Sequence, residues 1–161
     1  MGGAFTAITV ILQAAPVLLP GIGMAVSPFS TLPIAMAAGI NVGLGIAVLA
    51  ASVLLLLLIS PQEAIILLFT TGLLGVFLGV FQERKGMLCS IVTSSVALTG
   101  GILALIYIAA IPSFEKLTKV FCFPTVTVLC FGFSILYAGI WSFCFRKFMK
   151  RLSKAKQIGS E

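Results

Sequence analysis

Histidine is absent from this 161-residue chain, and charged residues make up only 9% of it. Soluble domains average about 25% charged residues. A chain this short has a large surface for its volume and needs polar residues to cover it in water. Ten lysines and arginines with four acidic residues cannot do so, which excludes a soluble globular domain. With 60% apolar residues and a mean hydropathy of +1.25, a disordered chain is excluded as well. The missing histidine removes the commonest general base and the commonest metal ligand. No paired carboxylates, Ser-His-Asp set or metal-ligand cluster stands in the sequence, so neither an enzyme nor a metal or other cofactor is expected. CxxC spacing is missing too. Cys89, Cys122, Cys130 and Cys144 lie in or beside apolar runs and read as small buried hydrophobes.

What is present is apolar sequence in long runs. Membrane strands would be about ten residues long and would alternate apolar with polar. The runs here are longer and apolar on all sides. The expected fold is an all-α integral membrane protein. It forms a compact bundle of six, alternatively five, transmembrane helices over residues 1–145, followed by a basic cytoplasmic tail at 146–161.

A membrane helix needs roughly 20 apolar residues. The first run spans Gly3 to about Leu19, with Gln13 inside it and Pro16 and Pro20 ending or kinking it. Residues 20–28 are rich in Gly and Pro and are expected to form a loop at the membrane surface or folded back into the protein. The block from Thr31 to Ile59 is long for one span. Gly39, Asn41, Gly43 and Gly45 divide it into helices over about 31–41 and 44–59. Ser60-Pro61-Gln62-Glu63 starts the next helix, with Pro61 at a favoured first position and Glu63 near the positive end of the helix. Further spans are expected at about 64–81, 87–111 and 120–145, joined by polar loops at 82–86 and 113–119.

The basic residues orient the bundle. Arg84 and Lys85, with Arg146, Lys147, Lys150, Arg151, Lys154 and Lys156, make eight of the ten; Lys116 and Lys119 are the other two. Two spans separate the 82–86 loop from the tail, so the eight share a side. An excess of Lys and Arg marks the cytoplasm. The expectation is a multi-pass protein of the bacterial plasma membrane with a cytoplasmic C-terminus. Six segments put the N-terminus inside, five outside. A basic end directly after an apolar span is a membrane flank, and no nucleic acid is expected as a partner.

Small residues recur every four positions at Ala35, Gly39, Gly43, Ala47 and Ala51, and again at Gly75 and Gly79, Gly100 and Ala104, and Gly3 and Ala7. This spacing places them on one helical face. In lipid, close backbone contact over small residues is a main source of helix association. Such a face packs the bundle internally or docks a partner, and Gly3–Ala7, on a terminal helix, is the candidate for docking. The span centres carry no charge, which argues against an ion-coupled pump.

The stretch Ser27-Pro28-Phe29-Ser30-Thr31-Leu32-Pro33-Ile34-Ala35-Met36-Ala37-Ala38-Gly39-Ile40-Asn41-Val42-Gly43-Leu44-Gly45 resembles the start of the second helix in substrate-binding S components of energy-coupling factor (ECF) transporters. The Leu-rich helix after it, the Pro-initiated helix with repeated Gly and the short basic loop are similar to that group, and to a related set of uncharacterised membrane proteins. The resemblance covers about residues 3–111. It implies six membrane helices with both ends in the cytoplasm. It further implies a vitamin or a metal cation bound at the extracellular side under the first loop. Delivery would use a membrane coupling subunit and two ATPases, the first helix docking the coupling subunit through Gly3 and Ala7. The first loop here has no charged residue and only Phe29 as an aromatic. The His-bearing motif of the nickel and cobalt members is absent.

An outward pocket would then be lined by Gln13, Phe29, Ser30, Thr31, Glu63, Tyr107, Glu115 and Lys116. Gln13 faces such a pocket or bonds to a neighbouring helix. Phe29, Ser30 and Thr31 form a lid or a surface loop. Glu63 reaches the pocket or complements its helix end, and Tyr107 is a ligand or an interface anchor. Trp141, Phe143 and Phe145 read as a cytoplasmic aromatic belt. The rival reading is an accessory or structural membrane protein acting through helix contacts with no substrate of its own. A polar-lined outer cavity favours the first reading and a solid bundle the second. A small lipid-handling enzyme is the third.

Overall fold

The computed structural model describes residues 2–84, 86–107 and 123–158. Among them every regular element is helical. In chain order these are α1 (Gly2–Leu18), α2 (Ile22–Val26), a 3-10 turn (Ser27–Ser30), α3 (Thr31–Ile40), α4 (Val42–Ile59), α5 (Pro61–Leu67), a π turn (Leu68–Gly72), α6 (Leu73–Arg84) and α7 (Met87–Tyr107). The last, α8, runs over Phe123–Ile158. They make six helical segments, because α2, the 3-10 turn and α3 run as one, and α5, the π turn and α6 as another. Five of the six are long and apolar enough to cross a membrane. The sixth, α1, has 17 residues and is about 25 Å long.

Local chemistry sets the breaks. Gly21 at φ 93° and Gly86 at φ 87° make the turns after α1 and α6, in backbone conformations that L side chains avoid. Asn41 is extended, and its Oδ1 accepts from the Gly43 N–H at 2.8 Å, which ends α3 and caps α4 in one residue. Ser60 does the same before α5, its Oγ facing the Glu63 N–H at 3.5 Å with Pro61 at the first position. The Ser60 N–H is already bonded to the Leu56 carbonyl at 2.7 Å. The Glu63 carboxylate is therefore not needed to close a capping box and is free to turn elsewhere.

The bundle buries small polar side chains among its apolar cores and is apolar on the outside as well. Gln13, Thr9, Ser30 and Ser52 are fully buried, whereas Leu58 is 85% exposed and Ile11, Leu54, Leu88 and Leu136 are also exposed. That distribution suits a lipid surround, where exposed apolar side chains cost nothing and unpaired polar groups cost several kcal/mol. α3 is the hub. Ile34 and Ala37 belong to a core with Ala14, Val48, Leu49, Leu56, Ala64 and Leu67, while Ala35 belongs to a second core with Leu74, Leu78, Leu98, Ala138, Trp141 and Phe145. Gly79 lies so close to the Ala35 carbonyl that a β-carbon would strike it.

Four expectations need correction. Residues 20–28 do not form a loop: after the turn at 19–21 the chain is helical, and Ile22–Ile40 is a 19-residue candidate span. The small-residue stripe 35–51 is not one face, because Asn41 divides it; Ala35 is buried against α6, and Ala47 is exposed on α4. Gly100 has nothing within 4 Å of a notional β-carbon; its neighbour Gly101 makes the contact, against the Phe69 carbonyl. Trp141 and Phe145 are not an interfacial belt: they are buried in the second core, and only Phe143 is exposed. The loop at 113–119 and the span ends at 111 and 120 lie outside the described residues. α8 continues helical through the basic segment to Ile158 and, at 36 residues, is roughly 54 Å long, well beyond a hydrocarbon core of about 30 Å.

Candidate functional site

Three helical segments converge on one side chain. Gln13 of α1 is fully buried. Its Nε2 donates to Glu63 Oε2 at 2.9 Å, and its Oε1 accepts from Ser30 Oγ at 2.8 Å and from Thr71 Oγ1 at 3.3 Å. An amide carries two donors and one acceptor oxygen, so this knot uses most of its capacity. The bond to a carboxylate is charge-assisted and is the strongest of the three. Each partner stands where its element ends or is irregular: Glu63 in the first turn of α5, Ser30 at the end of the 3-10 turn, and Thr71 in the π turn. A π turn widens the helix and shifts the register of the residues after it.

On the far side of that turn lies a cavity of about 440 Å³ between the fourth, fifth and sixth segments. Thr70, Thr71, Leu98, Ile102, Leu129, Cys130, Phe133 and Tyr137 line it. Its volume is in the range of small-molecule sites, which are typically 300–1,000 Å³. Leu129 and Phe133 are each 57% exposed, so the cavity reaches the outer surface of the bundle. Thr70 donates to the Ile66 carbonyl at 2.5 Å. The Tyr137 ring packs against Phe133 and Trp141, with centroids 5.7 and 6.2 Å away. The cavity lies about the middle of these segments, with Ile102 and Leu129 toward the end away from the basic one. At the basic end Arg146 donates to Met87 Sδ at 3.7 Å, bringing the start of α7 and the basic part of α8 together.

A shallower groove of about 410 Å³ runs between α1 and α4, lined by Gly2, Gly3, Thr6, Ala7, Leu44, Ala47, Val48, Ala51 and Leu55. Gly3 and Ala7 are exposed there, and nothing lies within 4 Å of a notional β-carbon on Gly3.

Of the residues singled out in the sequence, Gln13, Ser30 and Glu63 come together, but onto one another rather than around a space. Thr31 is buried one residue away. Phe29 is exposed and stacks edge-on against Trp141, with ring centroids 5.4 Å apart. Tyr107 closes α7, and its side chain, like all of Glu115 and Lys116, lies outside the described part of the chain. Sequence reasoning missed Thr70, Thr71 and Tyr137, because a threonine or tyrosine in a span carries no mark of what it faces. It also missed the seam between α7 and α8, where Ser90, Ser94, Ser134, Ala138 and Ser142 are fully buried. The signal was there: Ser90–Ser94 and Ser134–Ala138–Ser142 repeat every four residues, and serine counts as small in membrane interfaces. Among the described residues no group of three or more His, Cys, Asp or Glu could hold a metal ion.

No known protein family, characterised protein or solved structure matches the chain.

Proposed function

We propose that this chain is the membrane-embedded binding subunit of an importer of the ECF type. It captures a small molecule in the half of the bundle away from the basic end and relies on partner coupling and ATPase subunits for energy. The observation that carries this reading is the cavity beside the π turn, which is large enough for a small molecule. The orientation rests on charge. The basic part of α8 and the start of α7 share one end, which gathers eight of the ten cations, and that end is the cytoplasmic one. The lack of charge in the centres of the described spans argues against coupling to an ion gradient.

The test is purification in lipid nanodiscs and mass spectrometry of co-bound small molecules, for the natural chain and for Cys130→Phe, which fills the cavity. A molecule carried by the first and lost from the second supports the reading. An identical set on both removes the cavity as the site.

The groove between α1 and α4 favours a second reading, an accessory protein acting through helix contacts, and serves the first reading equally as the seat of a coupling-subunit helix. Gly3→Leu and Ala7→Leu should abolish co-purification with such a subunit while leaving the bundle folded. Retained co-purification removes the docking role.

A further inference from the structure

The cavity wall carries a chemical bias of its own. Among the described residues, no charged side chain lines it. Glu63 is turned to Gln13, on the other side of Thr71. A charged ligand would enter this space with no counter-charge, at the cost that makes ionised groups rare inside membranes. The bound molecule is therefore uncharged.

Its polar part is set by the count of available protons. A threonine hydroxyl has one proton to give and two lone pairs. The Thr70 proton is spent on the Ile66 carbonyl, and the Thr71 proton on Gln13 Oε1. The Tyr137 ring lines the cavity beside them. What Thr70 and Thr71 have left is lone pairs, so these two hydroxyls accept hydrogen bonds from a ligand and have no proton to give. The Thr71 bond to Gln13, at 3.3 Å, is long for O–H···O, where about 2.7–2.8 Å is usual. A donor arriving on Thr71 would polarise its O–H and strengthen that bond, since chained hydrogen bonds reinforce one another.

The surface fixes the entrance. Leu129 and Phe133 form cavity wall and lipid-facing surface at once, so a molecule dissolved in the bilayer meets the cavity sideways.

We infer that the cavity takes an uncharged, largely apolar molecule that presents an O–H or N–H donor to Thr70 and Thr71 and enters from the lipid. The inference rests on the cavity being the binding site and narrows what it binds. It is tested with three matched probes: 1-pyrenemethanol, its methyl ether and 1-pyrenecarboxylate. Trp141 is the single tryptophan, and its ring centroid is 6.2 Å from that of Tyr137, so energy transfer from Trp141 to pyrene reads occupancy. The chain is held in phosphatidylcholine nanodiscs, and transfer in Cys130→Phe is subtracted as the contribution of probe in bulk lipid. The alcohol should bind about fivefold more tightly than the ether, the effect of one net hydrogen bond, and the carboxylate should give no specific transfer. Thr71→Val or Thr70→Val should erase the advantage of the alcohol, both being near-isosteric changes. An ether that binds as well as the alcohol overturns the donor requirement. A carboxylate that binds best overturns the uncharged class while leaving the cavity as a site. Equal binding of all three means a space for acyl chains only and overturns the inference. Specific transfer from none of them removes the cavity as a site and the inference with it.

Discussion

The two sides of the π turn solve opposite problems with neighbouring threonines. On one side, Thr71 joins Ser30 and Glu63 around Gln13, and no room is left. On the other, the same turn borders about 440 Å³ of unfilled, mostly apolar space. The filled side holds the first and second helical segments to the fourth; the open side is bounded by the fourth, fifth and sixth. The contrast shows why a polar cluster in a membrane bundle is not automatically a ligand site. Polar groups in lipid must find partners, and here they find each other. The space is left to the side with few polar groups, where an empty volume costs only lost packing contacts.

That contrast can be broken. The largest effect is expected from Gly79→Leu, which belongs to neither side but to the hub both share. A β-carbon would strike the Ala35 carbonyl, and overpacking against backbone should cost ~3 kcal/mol or more, read as loss of the cooperative thermal transition in nanodiscs. Gln13→Leu comes next, at about 2 kcal/mol, because it strands the Glu63 carboxylate; Glu63→Leu in the same chain should recover much of that loss. Full additivity of the two losses would mean that the bond contributes nothing. Thr71→Val removes only the long 3.3 Å bond and should cost roughly 0.6 kcal/mol, the average for interhelical bonds in membranes. On the open side Cys130→Phe adds bulk and should be neutral or stabilising by about 0.5 kcal/mol, as cavity filling is. If it destabilises as much as Gln13→Leu, the two sides are packed alike and the comparison fails. Gly100→Ala should change stability by less than ~0.5 kcal/mol, since nothing lies near it.

Particular residues show what was legible. Asn41, Ser60 and Pro61 announced their helix breaks because caps act within three or four residues. Gln13 and Glu63 stood out as polar marks in or beside apolar runs, yet nothing in either neighbourhood says that residues 50 apart meet. Trp141 was misread for the same reason. Its place in the chain, beside the basic segment, suggested an interface, whereas the rotation of α8 turns it against Ala35 and Leu78. Residues 20–28 were misread as a loop because Gly and Pro break helices in water, while in lipid the unmet backbone groups favour continuing the helix wherever neighbours allow it.

The sequence by itself determined that this is an all-α membrane bundle, and where Asn41 and Ser60-Pro61 break its helices. These depend on composition and short-range chemistry, because lipid and water act on each helix separately before any two helices touch. Only the tertiary structure decided that Gln13 is sealed rather than open, that Thr71 is shared between the knot and the cavity, and that the space lies beside the fourth, fifth and sixth segments. Those depend on the rotation and register of helices far apart in the chain. These are set by small residues and close backbone contacts whose partners no local pattern specifies.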